Sequence, residues 1–226
     1  MNARNVLLAA TSVIALIAGS ASAAGLPTSL LVGKSKAFEI IPKGSKILYS
    51  QDSNYTGIGV DSQNFTSTTA TGFNDQGADD FIIPKGKIWT IRDVDVSGIY
   101  FNGPGPANSE NVIFYTDSGG MPGNPIGKGT FTNLNGSGSP SFRIKLPGNG
   151  LRLKSGHYWV SVIANLDFKV AGEWGWGTNA NIRNDPAMWR EPNCGWSCCP
   201  NWETLSNCLG VDYDFIFELR GISKRE

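Results

Sequence analysis

The residues with the clearest potential for molecular recognition are concentrated near the C-terminal end of the sequence. The segment from Trp174 to Cys208 contains five of the seven tryptophans and all four cysteines. Sugar rings stack on exposed indoles, and neighbouring Asn and Arg side chains can bind hydroxyl groups, so this composition favours carbohydrate recognition. The side chains predicted to contact such a ligand are Trp174, Trp176, Trp196, Trp202, Asn179, Asn181 and Arg183.

The same tryptophans have a second interpretation, because a disulfide-pinned loop needs its own apolar filling. Both interpretations stay open for the four tryptophans of this predicted platform, which we expect to lie on loops at one end of the fold. Trp189 is expected to pack inward. Trp89 and Trp159, which belong to predicted strands, are also expected to fill the core.

The four cysteines are expected to form two disulfides. A bridge between the adjacent residues Cys198 and Cys199 would close a strained ring, so two cross-pairings remain open. Zinc binding is the alternative, but the adjacent pair is an awkward ligand spacing and a secreted chain favours disulfides. The residues concerned are Cys194, Cys198, Cys199 and Cys208.

Two pairs of acidic residues flank predicted strands. Asp79 and Asp80 precede one strand, and Asp212 and Asp214 lie around the start of another. If the first and last strands are neighbours, as in a jelly roll, these carboxylates can converge on Ca²⁺, which takes about six to eight oxygen ligands. The simpler alternative is that each acidic residue caps a strand or faces water. A calcium ion here would be structural, and no cofactor is expected to be required.

Catalytic chemistry finds little support in the sequence. The single histidine, His157, follows a turn and is interpreted as a strand-start residue bonded to a neighbouring backbone group. There is no Gly-x-Ser-x-Gly nucleophile motif, and paired cysteines leave no free thiol. No glycosidase-like carboxylate pair stands out among the 19 acidic residues. We therefore expect a non-catalytic protein, with a polysaccharide hydrolase as the weakest alternative.

These residues must be positioned by short strands, because Gly- and Pro-rich turns recur along the chain and helical periodicity is almost absent. One helical turn is predicted at Asn184–Trp189, where Pro186 suits the first helical position. The pattern predicts an all-β fold, specifically an antiparallel two-sheet sandwich of jelly-roll type. The predicted strands lie at Ile47–Tyr49, Phe81–Ile83, Trp89–Val96, Asn111–Tyr115, Phe142–Leu146, Leu151–Lys154, Tyr158–Ile163 and Tyr213–Leu219.

The N-terminus has the three-part pattern of a cleavable secretory signal: Arg4, an apolar run over Val6–Ile17, and small residues at Ala21–Ala23. We expect cleavage after Ala23, which leaves 24–226 as one secreted domain without a transmembrane segment. The chain has 19 basic and 19 acidic residues, and this balance argues against nucleic acid or an anionic membrane as partner. The domain is expected to be a monomer outside the cell, in the periplasm or on the cell surface.

Three motifs carry a resemblance: Ala78–Pro84 is ADDFIIP, Tyr115–Gly123 is YTDSGGMPG, and Tyr158–Val162 is YWVSV. In this order they resemble a group of bacterial secreted β-sandwich domains with ADDFxxP, YxDxGGxPG and YWVSV motifs. The Trp-rich segment 174–202 is similar to that group's Trp-rich loop, and 212–219 is similar to its closing strand. The resemblance extends from about Ser50 to Gly221. It implies the fold and an extracellular location, with no assigned activity.

The sequence as a whole predicts a secreted module that binds a polysaccharide or a cell-surface glycan. The alternative is a structural or protein-interaction component of the cell envelope or extracellular matrix. In that case the tryptophans would serve only as packing.

Overall fold

The computed structural model describes residues 30–32, 45–133, 139–196 and 198–226, so the predicted secretory signal lies outside the described residues. Strands dominate these residues, and the all-β prediction is confirmed. In chain order the strands are β1 (Leu30–Val32), β2 (Lys46–Ser50), β3 (Tyr55–Asp61), β4 (Gln63–Phe65), β5 (Gln76–Ile83), β6 (Lys87–Val96), β7 (Gly98–Phe101), β8 (Ser109–Asp117), β9 (Pro122–Asn133), β10 (Phe142–Lys145), β11 (Leu151–Leu153), β12 (Gly156–Leu166), β13 (Glu173–Asn179), β14 (Met188–Arg190), β15 (Glu203–Thr204), β16 (Asp214–Phe215) and β17 (Phe217–Arg225). Two short helices, α1 (Phe168–Ala171) and α2 (Leu205–Leu209), and a 3₁₀ turn at Thr71–Phe73 accompany them.

The described strands form three hydrogen-bonded sheets. The first has the order β1-β3-β13-β16, with β7 also paired to β13. The second has the order β10-β6-β17-β2, with β11 also paired to β6. The third has the order β15-β14-β5-β12-β8-β9, with β4 also paired to β12. The pairing is antiparallel, as predicted, except that β4 and β12 are parallel. The jelly-roll connectivity stays a prediction.

Side chains from all three sheets meet in one apolar core. Trp174 on β13, Val94 on β6 and Phe81 on β5 belong to the same buried cluster. Strand β12 lies between β5 and β8, and most of its residues are buried. This central position explains why its sequence is a nearly continuous apolar run. The expectation that Trp89, Trp159 and Trp189 pack inward is confirmed, since all three are buried.

Each of the eight predicted strand segments overlaps an observed strand. The helical turn predicted at Asn184–Trp189 is wrong, because this segment bends and then enters β14 at Met188. Its backbone N–H groups bond to carboxylates of other strands instead of closing a helical turn. Asp185 donates to Asp80 at 3.3 Å, and Ala187 donates to Asp214 at 3.1 Å.

Candidate functional site

Two tryptophans of the predicted platform lie inside the protein rather than on a loop. Trp174 and Trp176 alternate with glycines in β13 and are fully buried. Their indole N–H groups donate to the carbonyl oxygens of Pro140 and Ile216 at 2.7 and 2.8 Å. Because a buried indole offers no face to a sugar ring, the prediction that these two residues contact a ligand is wrong.

Of the three polar residues predicted to bind a ligand, one is buried and structural and two are exposed. Asn179 is buried; its side chain donates to the Gln51 carbonyl oxygen at 3.0 Å and accepts from the Asn181 backbone N–H at 2.9 Å. Asn181 and Arg183 are exposed. The Arg183 guanidinium lies over the ring of Tyr49, 5.2 Å from its centroid. Asn179 therefore holds the chain in place, while Asn181 and Arg183 remain accessible.

Trp196 belongs to a loop closed by two disulfides, as predicted; the pairs are Cys194–Cys198 and Cys199–Cys208. This arrangement is one of the two pairings that the sequence left open. The buried Glu191 carboxylate accepts hydrogen bonds from the backbone N–H groups of Trp196 and Cys198, at 2.6 and 3.3 Å. The Trp196 ring packs on Phe73, with centroids 5.1 Å apart. Trp196 therefore serves at least partly as filling for this loop.

Trp202 is half-buried and borders a shallow pocket of about 250 Å³, which we call the Trp202 pocket. The Arg190 guanidinium lies over the Trp202 ring, 4.4 Å from its centroid. Arg190 is itself fixed, because its Nε and Nη2 atoms donate to Gln76 Oε1 at 3.0 and 2.6 Å. The pocket thus combines apolar surface with one guanidinium group in a fixed position. It is lined by Ser118, Met121, Pro122, Arg190, Asn201 and Trp202.

The four carboxylates predicted to bind calcium come together only in part. Asp79 on β5 and Asp214 on β16 are buried, whereas Asp212 is exposed. Asp79 accepts hydrogen bonds from the Gln51 side chain and the Phe215 backbone N–H, each at 2.6 Å. Asp214 accepts two backbone N–H groups at 2.6 and 3.1 Å. Burial raises the pKa of both carboxyls, to about 7 for Asp214. Asp79 and Asp214 therefore hold the main chain of neighbouring segments.

Asp80, the fourth of these carboxylates, belongs to a different group that centres on His157. Donor atoms of Asp80, His157 and Asp185 all lie within 4.8 Å of one another. His157 Nε2 is hydrogen-bonded to Asp80 Oδ2 and lies 3.8 Å from Asp185 Oδ2. On the other side of the ring, His157 Nδ1 lies 3.5 Å from Asp117 Oδ1. We call Asp80, Asp117, His157 and Asp185 the rim cluster.

The rim cluster forms on three neighbouring strands and on the bend that precedes β14. Asp80 lies within β5, His157 is the second residue of the adjacent β12, and Asp117 ends β8 on the other side of β12. Burial raises the pKa of Asp80, while its hydrogen bond with His157 acts in the opposite direction. His157 thus has carboxylate partners, not the backbone partner that the sequence suggested. The three motifs that carry the resemblance each contribute a residue to this cluster or lie next to it. Their presence was the signal in the sequence from which the cluster could have been predicted.

A second group of carboxylates lies in the interior and was not predicted. Asp61, Asp75, Glu173 and Glu191, the inner carboxylates, are at most 2% exposed. Burial raises the pKa of Asp61 and Asp75 well above the usual range, and the neighbouring negative charges of Glu173 and Glu191 raise it further. Within the described residues, neither carboxylate oxygen of Asp61 has a hydrogen-bond partner. Because these carboxylates are buried, we expect them to affect the stability of the fold and not the binding of a ligand.

Comparison of the chain with models of protein families, with curated proteins and with solved structures finds no match. The resemblance to the secreted β-sandwich group therefore stays an expectation from the motifs. Within the described residues, no helix combines the length and the apolar character needed to cross a membrane.

Proposed function

We propose that this protein is a secreted, non-catalytic β-sandwich module that binds a glycan of the cell surface or extracellular matrix at the Trp202 pocket. The observation that supports this proposal most strongly is the half-buried indole of Trp202 beside a pocket of about 250 Å³. Pockets that enclose drug-sized ligands measure about 300–1,000 Å³, so one of this size suits a single ring of a longer polysaccharide. The predicted secretory signal and the two disulfides are consistent with an extracellular site of action.

The lining of the pocket suits the amphipathic surface of a sugar. The Trp202 ring and the side chains of Met121 and Pro122 supply apolar surface, and Met121 is 43% exposed. The Asn201 amide and the Ser118 hydroxyl supply hydrogen-bonding groups, and both residues are exposed. Because Gln76 and the indole hold Arg190, its guanidinium has a fixed position beside the ligand and loses little freedom on binding.

The test is retention of the full chain, produced in an oxidising compartment, on immobilised β-glucan, xylan, mannan, chitin and pectin. We expect retention on at least one of these polysaccharides and its loss in Trp202→Ala. Tyr55→Ala is the matched control, because it removes another exposed aromatic ring outside the pocket, 38% exposed on β3, and should bind normally. Absence of retention on the whole panel would contradict the glycan proposal. Retention that survives Trp202→Ala would contradict the assignment to this pocket.

A further inference from the structure

The rim cluster offers a mixed nitrogen and oxygen donor set. Asp80 is buried, whereas the side chains of His157 and Asp185 are 25% and 40% exposed, so solvent reaches the group from one side. With bond lengths of about 2.0–2.2 Å, the ligand atoms of tetrahedral Zn²⁺ lie roughly 3.3–3.5 Å apart. The 3.8 Å between His157 Nε2 and Asp185 Oδ2 is close to this spacing. Binding of one ion would require His157 Nε2 and Asp80 Oδ2 to exchange their hydrogen bond for bonds to the metal, with Asp185 Oδ2 as the third ligand.

The histidine ring is oriented as metal-bound histidines are. A metal-binding histidine usually directs one ring nitrogen at the metal and the other at a carboxylate or a backbone oxygen. Here Nε2 faces Asp80 and Asp185, while Nδ1 faces Asp117 at 3.5 Å. Asp117 is held in turn by the Trp159 indole N–H at 3.0 Å and the Gly120 backbone N–H at 3.1 Å.

The imidazole also decides which class of ion fits. Ca²⁺ and Mg²⁺ are hard ions that prefer oxygen ligands, whereas a histidine nitrogen beside two carboxylates suits a divalent transition metal or Zn²⁺. Two carboxylates and a neutral imidazole together carry the charge that neutralises one divalent ion. The group differs from the predicted calcium set of Asp79, Asp80, Asp212 and Asp214, with which it shares only Asp80.

We propose that Asp80, His157 and Asp185 bind one divalent ion of the zinc type, with Asp117 as the second-shell carboxylate that orients His157. This site is independent of glycan binding, because none of its three ligands lines the Trp202 pocket. The turn from Asp117 to Pro122 connects the two regions, since Asp117 belongs to the rim cluster and Pro122 lines the pocket.

The experiment is a titration of the full disulfide-bonded chain with Zn²⁺ in competition with a chromophoric chelator. We expect one ion per chain, affinity at least 100-fold lower in Asp185→Asn and in His157→Gln, and affinity about 10–100-fold lower in Asp117→Asn. Asp185 and His157 are partly exposed, so these variants are expected to fold, and near-UV circular dichroism checks it. Asp212→Asn, an exposed acidic control, should bind normally.

Substitution with Co²⁺ gives a second, spectroscopic readout, because visible absorption bands report a nitrogen- and oxygen-ligated ion. The proposal is overturned if the folded protein binds no Zn²⁺ in this titration. It is also overturned if Asp185→Asn and His157→Gln leave the affinity unchanged. Binding of Ca²⁺ in preference to Zn²⁺, with loss in Asp214→Asn, would overturn it in favour of the calcium set.

Discussion

Tryptophan and carboxylate side chains occur together in two regions of this molecule, and the two regions differ in what those side chains can reach. In the interior, Trp174 and Trp176 are fully buried and Asp61 lies among the inner carboxylates. In the second region, which we call the rim and which comprises the Trp202 pocket and the rim cluster, Trp202 borders a pocket and His157 contacts the partly exposed carboxylates of Asp117 and Asp185. The same residue types therefore stabilise the fold in one region and are available to ligands in the other.

The difference arises from the strands on which the residues lie. Strand β13 is buried along its whole length, so both its tryptophans and Glu173 are enclosed. Most of the rim residues lie near strand ends or in the segments between strands, where a side chain can be held by its neighbours and still face solvent; Asp80, which is buried within β5, is the exception. Position along a strand, more than residue type, separates packing from recognition in this protein.

The largest expected effect tests the interior assignment. Trp176→Ala removes a fully buried indole that stacks on Phe215 with ring centroids 4.5 Å apart. We expect the free energy of unfolding to fall by about 3–5 kcal/mol, as for other buried tryptophans. Urea denaturation measures the change. Trp196→Ala is the control, and its loss should be clearly smaller because Trp196 is half-exposed; equal losses would break the distinction between interior and rim.

The inner carboxylates predict an unusual dependence of stability on pH. Burial raises the pKa of Asp61 and Asp75 in the folded state, so the folded protein binds more protons than the unfolded chain. The stability that these two groups contribute is fully present at pH values below the ordinary Asp pKa. It is lost as the pH rises through their raised pKa values in the folded state. The free energy of unfolding should therefore decrease with pH, by up to about 1.4 kcal/mol per pH unit for each proton released.

Urea denaturation from pH 4 to pH 8, in steps of about one pH unit and with a chelator present, measures this slope. Asp61→Asn should flatten it, because the variant removes one titrating group. The exposed control Asp212→Asn should leave the slope unchanged. A stability that rises with pH in the parent protein would show that the inner carboxylates do not have raised pKa values.

The smallest expected effect concerns the stability of the rim. Trp202→Ala removes a half-exposed ring that makes an edge-to-face contact with Tyr115 and has the Arg190 guanidinium over its face. We expect the free energy of unfolding to fall by less than about 1.5 kcal/mol, well below the loss in Trp176→Ala. A loss as large as that of Trp176→Ala in urea denaturation would make Trp202 a packing residue.

Much of the fold could be predicted from the alternation of apolar and polar residues in the sequence. Where that prediction fails, the failure has a physical reason. Strands such as β6 and β12 have apolar, β-branched residues and were predicted. Strand β13 alternates Trp with Gly, a composition that is typical of loops; the indole of Trp174 fills the space beside Gly98, where a Cβ would lie 2.3 Å from Trp174 Nε1. The loop position predicted for Trp174 and Trp176 is wrong for that reason.

The candidate site was predicted only where neighbours in sequence are also neighbours in space. The disulfides and Trp202 belong to one segment, so composition could indicate them. The rim cluster joins Asp80, Asp117, His157 and Asp185, which come from four segments and meet through the pairing of β5, β8 and β12 and of β5 with β14, which follows Asp185. The sequence identifies the motifs but carries no information on which of their side chains face one another.

The most direct test of the account is an NMR spectrum of the seven indole N–H groups, assigned by single Trp→Phe variants. Each tryptophan gives its own cross-peak, so the spectrum reports where a ligand binds. Added oligosaccharide of the retained class should shift the Trp202 peak most, and Zn²⁺ should shift the Trp159 peak, whose N–H donates to Asp117 in the rim cluster. Largest shifts at Trp174 or Trp176 with either ligand would contradict the assignment of ligand binding to the rim.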